Sequence, residues 1–207
     1  MIFPIISNSE SSNCYMVIDE KAALIDSGLG NEMIEKIQEL TGKFNTGIDF
    51  LINTHCHYDH AANDLFAREK WNAEIAMHED EIINENSVLS HLFNKNFREI
   101  PVDIKLKEND AIKLGEIIEL KVIHTPGHTK GGICLYDKET KTLFSGDTVF
   151  SDGIGRTDFP GGDFNELKAS VEKILKLKQD SGIDKLCPGH GMIGTGEDIK
   201  RVYKMWF

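Results

Sequence analysis

The sequence predicts an α/β domain, a sheet core covered by helices, and three observations carry that expectation. Strand-length apolar runs alternate with helix-length amphipathic stretches along all 207 residues. No Pro/Ser-rich linker or low-complexity segment interrupts them, so residues 1–207 read as one domain. Several apolar runs end directly in histidine or aspartate beside glycine, which is where sheet proteins commonly place a site.

Taken in order, "CYMVI" (14–18) and "AALID" (22–26) are strand-sized, and Asp19-Glu20-Lys21 between them reads as a hairpin turn. "NEMIEKIQELTG" (31–42) puts Met33, Ile34, Ile37 and Leu40 on one helical face, with Asn31 as the expected N-cap and Gly42 as the stop. "DFLIN" (49–53) reads as a buried strand that runs into the densest motif of the chain. "ANDLFAREKW" (62–71) is helical, "AEIAM" (73–77) a strand, and "EDEIINENSVLSHLF" (79–93) a further helix or helical insert. The second half repeats the grammar with strands at "EIIELKVIH" (116–124), "GICLY" (132–136) and "KTLFSGD" (141–147), the last two separated by a Lys138-Glu139-Thr140 turn. "DFNELKASVEKILKLKQ" (163–179) is the clearest helix, "DKLC" (184–187) a last short strand, and "GEDIKRVYKMWF" (196–207) a closing helix.

Composition narrows the partners. Apolar residues at 40% and charged residues at 28% are globular values. A net charge of −11 repels phosphate backbones, so a nucleic-acid partner is not expected. No apolar stretch approaches the roughly 20 residues that span a bilayer. The start lacks the basic region of a signal peptide, and Cys14, Cys56, Cys134 and Cys187 form no C-x-x-C pair. Reduced thiols in a cytoplasm are therefore expected. A small-molecule substrate is the expected partner, and the oligomeric state stays open.

The motif that follows "DFLIN" is "THCHYDH", with His55, His57, Asp59 and His60. A spacing of two scatters side chains around a helix but aligns them along an extended chain. His55 and His57 can thus converge on one point, while Asp59 and His60, as the chain turns into the next helix, aim at another. His128 in "TPGH", Asp147 in "FSGDT" and His190 in "CPGH" stand at later strand ends and bring the candidates to seven. In both Pro-Gly-His echoes the residue before proline is held extended, and glycine permits a sharp turn that presents the histidine. A catalytic zinc takes about three protein ligands and leaves a position for water, so seven is too many for one ion. Two ions with three private ligands each and one shared carboxylate use all seven, and Asp147 is the natural bridge. Imidazole and carboxylate without thiolate suit zinc, with iron or manganese also compatible. His78, His91 and His124 read as ordinary surface or hydrogen-bonded histidines, and alternation turns Cys56 away from the metals into packing.

"THCHYDH", "TPGHT", "SGDT" and "PGHG", with Asp26 in "LIDSG", together resemble the metallo-β-lactamase superfamily over nearly the whole chain. The resemblance implies a four-layer αββα sandwich with the metals at one edge of two packed sheets. It also implies His55, His57 and His128 on one metal, Asp59, His60 and His190 on the other, and Asp147 between them. The cysteine that true β-lactamases carry near the Asp147 position has no counterpart here. Asp59-His60 together, and "GIGRTDFPGGD" (153–163), resemble the single-domain glyoxalase II-like branch and its persulfide dioxygenase relatives. Only seventeen residues follow His190, so the helical domain with which full-length glyoxalase II enzymes help bind glutathione is not expected, and the thiol carrier stays open.

The expected activity is therefore hydrolysis of a thioester, such as a hydroxyacyl thioester, by a metal-bridging hydroxide that Asp59 orients. A thiolate leaves without a strong acid, and the motifs supply none. Asp26 is either a carboxylate that holds a ligand histidine in its metal-binding tautomer or a turn former. Lys130, Arg156 and Asp158 are candidates for a substrate loop, Arg156 and Asp158 equally for an ion pair. The competing expectations are a mononuclear iron persulfide dioxygenase, a diiron oxygen- or NO-reducing module, and a non-catalytic metal-binding protein.

Overall fold

The computed structural model describes residues 1–8, 10–82 and 101–207. Two sheets stack face to face. One has six strands in spatial order: β1 (Ile2–Ile5), β2 (Cys14–Ile18), β3 (Ala22–Ile25), β4 (Phe50–Ile52), β5 (Glu74–His78) and β6 (Ile104–Leu106). The other has five, with β11 (Lys185–Pro188) on one edge, then β10 (Thr142–Gly146), β9 (Ile133–Asp137), β8 (Glu119–His124) and β7 (Ala111–Lys113).

The central strands are buried on both faces, which is why they read as continuous apolar runs. Their alternation decides which neighbour each side chain meets. Tyr15, Val17, Ala23 and Ile25 point to the other sheet and pack with Val122, Ile133, Leu135 and Phe144. The intervening Cys14, Met16, Ala22 and Leu24 point outward, against Met33 and Ile37 of α1 (Gly30–Phe44) and Ala67 of α3 (Asp64–Trp71). On the far sheet Cys134 and Tyr136 face outward against Val171 and Ile174 of α5 (Phe164–Ser181) and Ile199 and Val202 of α6 (Gly196–Trp206). The layers are therefore α, β, β, α. Two single-turn helices, α2 (Tyr58–Ala61) and α4 (Glu79–Ile82), sit at strand ends.

Several predicted boundaries shift. Helix α1 begins at Gly30 after Leu29, with no side-chain cap, and not at Asn31. It runs past Gly42 and stops at Asn45, which takes the left-handed conformation at φ 48°. Asparagine tolerates that region, so it replaces glycine as the terminator. Helix α5 starts as its sequence implies, with the Asp163 carboxylate accepting from the backbone of Asn165 and Glu166. Strands β1, β6 and β7 were not legible, being three or four residues long at or near sheet edges. The predicted helix 79–93 opens as α4; its remainder, and His91, lie outside the described residues.

The topology gathers strand ends. β3 and β4 run parallel, as do β10 and β11, and β8 shares the direction of β10 through two antiparallel pairings with β9. All five therefore deliver their carboxyl ends to one edge of the sandwich.

Candidate metal centre

Each carboxyl end contributes a side chain. Asp26 follows β3, and the extended segment 53–57 follows β4 and brings His55 and His57. Asp59 and His60 lie on α2, His128 follows β8, Asp147 follows β10 and His190 follows β11. All seven predicted donors come together. Their donor atoms form overlapping groups: His55, His57 and His128; Asp59, His60 and His190; and His55, His60 and Asp147, with no two atoms in a group farther apart than 4.8 Å. His57 Nδ1 lies 2.9 Å from His128 Nε2, and His60 Nε2 lies 3.3 Å from His190 Nε2. Asp147 stands between the triads, Oδ1 being 3.3 Å from His60 and Oδ2 3.6 Å from both His128 and His190.

The two Pro-Gly-His turns solve different problems. Gly127 takes φ 127°, a conformation that favours glycine. Gly189 is needed for close approach instead: a Cβ there would come within 2.2 Å of Asp147 Oδ1 and 2.7 Å of His60 Cε1. Asn13, in the loop just before β2, steadies the second turn by donating through Nδ2 to the carbonyls of Pro188 and Gly191.

Supporting contacts orient the rings. Asp26, itself at φ 55°, accepts from Thr54 N and Thr54 Oγ1 and engages His60 Nδ1 at 2.9 Å. Asp26 therefore stands both at a turn and against a histidine of the cluster. His128 Nδ1 donates to the Arg156 carbonyl at 2.7 Å, which leaves Nε2 facing the cluster. Behind Asp26 lies a network that sequence reasoning missed. Buried Asp64 accepts from Ser27 Oγ and from Asn53 Nδ2, and burial pushes its carboxyl up to about 7. No sequence signal marks Asp64 as different from any other helix-start aspartate.

The electrostatics of His55, His57 and Asp147 suit a cation. Burial, reinforced by the neighbouring imidazoles, holds His55 well below the usual histidine range, and burial with His128 pushes His57 down to about 3. Both therefore keep a lone pair available. Burial opposes charge on Asp147, but His60, His128 and His190 outweigh it and hold that carboxyl far below its ordinary value. Burial likewise opposes charge on His60, yet Asp147 and Asp26 draw it well above its ordinary value. His55 Nε2 is buried with no hydrogen-bond partner among the described residues, the condition expected of a ligand atom. The donor set fits divalent metal ions.

Of the proposed loop residues, Arg156 and Asp158 pair with each other at 2.7 Å on the surface, and the guanidinium lies 4.2 Å from the Phe159 ring centroid. Phe159 stands edge-on to His57 and Phe150 edge-on to His190, aromatic walls that sequence reasoning did not single out. Lys130 is exposed. Cys56 is only half-buried, not deep in packing. His78 and His124 are both hydrogen-bonded, and with Asp80 they form a further group whose donor atoms lie within 4.8 Å of one another. The two rings stack at 4.0 Å and 14°, and His124 Nε2 meets the Lys130 carbonyl at 2.8 Å.

Two stacked sheets flanked by helices, with histidines and aspartates at one edge, define an α/β fold with a metal-suited centre. Residues 8–190 match the family model for the metallo-beta-lactamase superfamily, and the chain belongs to that family. It is similar to a probable metallo-hydrolase of Methanocaldococcus jannaschii, 36% identical with 94% of each chain covered. It is also similar to the hydroxyacylglutathione hydrolase GloC of Haemophilus influenzae, 32% identical over 91% of this chain and 90% of that one. Among solved structures, that of TTHA1623 in a di-iron-bound form aligns with a TM-score of 0.81 and 28% identity, covering 97% and 98%. Among the described residues no helix is long and apolar enough to cross a membrane.

Proposed function

We propose that the protein is a dinuclear metal-dependent hydrolase of thioesters, with His55, His57 and His128 on one ion, Asp59, His60 and His190 on the other, and Asp147 shared. One observation carries this reading: Asp147 directs its two oxygens toward histidines of both triads. Only a carboxylate has two oxygens to divide in that way. The similarity to a hydroxyacylglutathione hydrolase supports the substrate class, and the di-iron-bound neighbour supports two ions. Zinc is the metal we favour, with iron and manganese compatible with the same ligands. Cys14, Cys134 and Cys187 are buried as free thiols, which supports a reducing cytoplasm.

When bound, the metals lower the pKa of water to about 7 and polarise a carbonyl oxygen. The chain's own groups do the rest. Asp59, a third exposed and 3.1 Å from His190, faces the opening, where it can orient the attacking oxygen and accept its proton. Oxygen bonds to the acyl carbon and the carbon–sulfur bond breaks, releasing a carboxylic acid and a thiol. The thiolate leaves without a strong acid, consistent with a cluster built only of metal-ligating types. Phe159 and Phe150 flank the two triads edge-on, apolar walls beside the place a substrate would occupy.

The test is to count metals per chain in the purified protein, then compare thioester hydrolysis with persulfide-dependent oxygen uptake. About two ions and thioester turnover are expected; one iron with oxygen consumption would overturn the reading.

A further inference from the structure

We propose that Glu81 is a positioning residue that locks the His55–His57 segment to the His128 loop and so sets the geometry of one triad. The assignment rests on the dinuclear reading above. Glu81 lies on the single turn of α4 after β5 and has 0% relative exposure. Its Oε2 accepts the backbone N–H of Cys56 at 3.0 Å, and its Oε1 that of Gly131 at 2.9 Å. Cys56 lies between His55 and His57, and Gly131 is on the returning limb of the turn that presents His128. One buried carboxyl group therefore joins the segments bearing all three imidazoles of the first triad.

The packing is specific to this contact. A Cβ on Gly131 would come within 2.4 Å of Glu81 N and 2.6 Å of Glu81 Cγ, so only a glycine lets the loop reach the acid. The His128 turn is closed by Thr125 N–H donating to the Gly132 carbonyl, and Ile133 N–H donates to the Thr54 carbonyl. Gly131 is thus pinned on a rigid limb, and Glu81 transfers that rigidity across the gap between the sheets. Among the described residues no Glu81 bond reaches Asp59, His60 or His190; Asp26 and Asn13 support that half, Asp26 also accepting from Thr54 beside His55. Asp26 thus touches both half-sites, whereas Glu81 supports the first alone.

Glutamine at this position keeps the volume but turns one acceptor into a donor aimed at an N–H. Glu81→Gln is therefore expected to weaken one of two bound zinc ions by roughly 10- to 100-fold while the other changes less than about threefold. The affected ion should be the one also lost in His57→Ala, and combining the two changes should add nothing at that site. In the metal-free protein, amide exchange at Cys56 and Gly131 should accelerate in Glu81→Gln while amides of β2 and β9 stay protected. Glu81→Asp, which retains both acceptors, should restore part of the affinity and serves if the glutamine variant does not fold. Equal weakening of both ions, or unchanged zinc binding in both variants, overturns the proposal. If the wild type binds fewer than two ions the dinuclear reading fails, whereas unchanged Cys56 and Gly131 exchange refutes the clamp itself.

Discussion

Asp26 engages His60 Nδ1 at 2.9 Å, with the imidazole fully buried and the carboxylate nearly so. The contact leaves His60 Nε2 to face Asp147 and His190. The same carboxylate accepts two bonds from Thr54, so three donors converge on two oxygens. Asp26→Asn would aim an amide N–H at one of those donors. Metal affinity at the His60 half-site should fall by about 10- to 100-fold, read by competition with a chromophoric chelator. Unchanged affinity would show that the contact is only a turn device.

Under the proposed assignment, His190→Ala removes a ligand from one ion alone. Metal content should drop from about two to about one per chain, and thioester turnover should fall by at least about 100-fold if both ions take part. Elemental analysis and a thiol-release assay read the two effects. A variant with one ion and near wild-type turnover would argue for a mononuclear mechanism.

Asp64 makes stability depend on pH. Its folded-state value of about 7 exceeds the ordinary 3.8 because burial disfavours the charge. An acid raised on folding contributes fully below its unfolded value, and that contribution is lost as pH rises through the folded one. The stability difference between wild type and Asp64→Asn, both metal-free, should therefore shift against the wild type from about pH 4 to about pH 7 and level off above. The ceiling on the change is about 4 kcal/mol. Denaturant midpoints across that range test it, and a flat difference would refute it.

Phe144 is buried between the sheets and meets Tyr15 edge-on at 5.4 Å. Phe144→Ala should cost about 3–5 kcal/mol by removing apolar contact and leaving a cavity. Equilibrium denaturation of the metal-free protein should show a lower midpoint at unchanged slope. A cost under about 1 kcal/mol would mean that the sheets close over the gap.

Much of the centre was legible because its donors cluster locally. Four lie within the six residues from His55 to His60, and period-two geometry divides them without any structure. The remaining three announce themselves through glycine turns after apolar strands. The supports were less legible. Glu81 lies in a run of acids that reads as a solvated helix start, yet it has 0% relative exposure. Asp64 and Asn53 look equally ordinary. A buried carboxylate is recognised by its partners, and those are distant in sequence: Asp64 bonds Ser27, and Glu81 bonds Gly131.

By itself, the sequence determined the local elements and the chemistry available: strands buried on both faces, amphipathic helices, and seven metal-suited side chains at strand ends. Those follow from hydrophobic period and residue type, which act over a few positions. Only the tertiary structure decided that β3, β4, β8, β10 and β11 end on one edge, that Asp147 reaches both triads, and that Glu81 holds two loops together. These depend on strand order and sheet stacking, which bring Asp147 within 3.6 Å of both His128 and His190. Short-range propensity carries no record of such long-range closures.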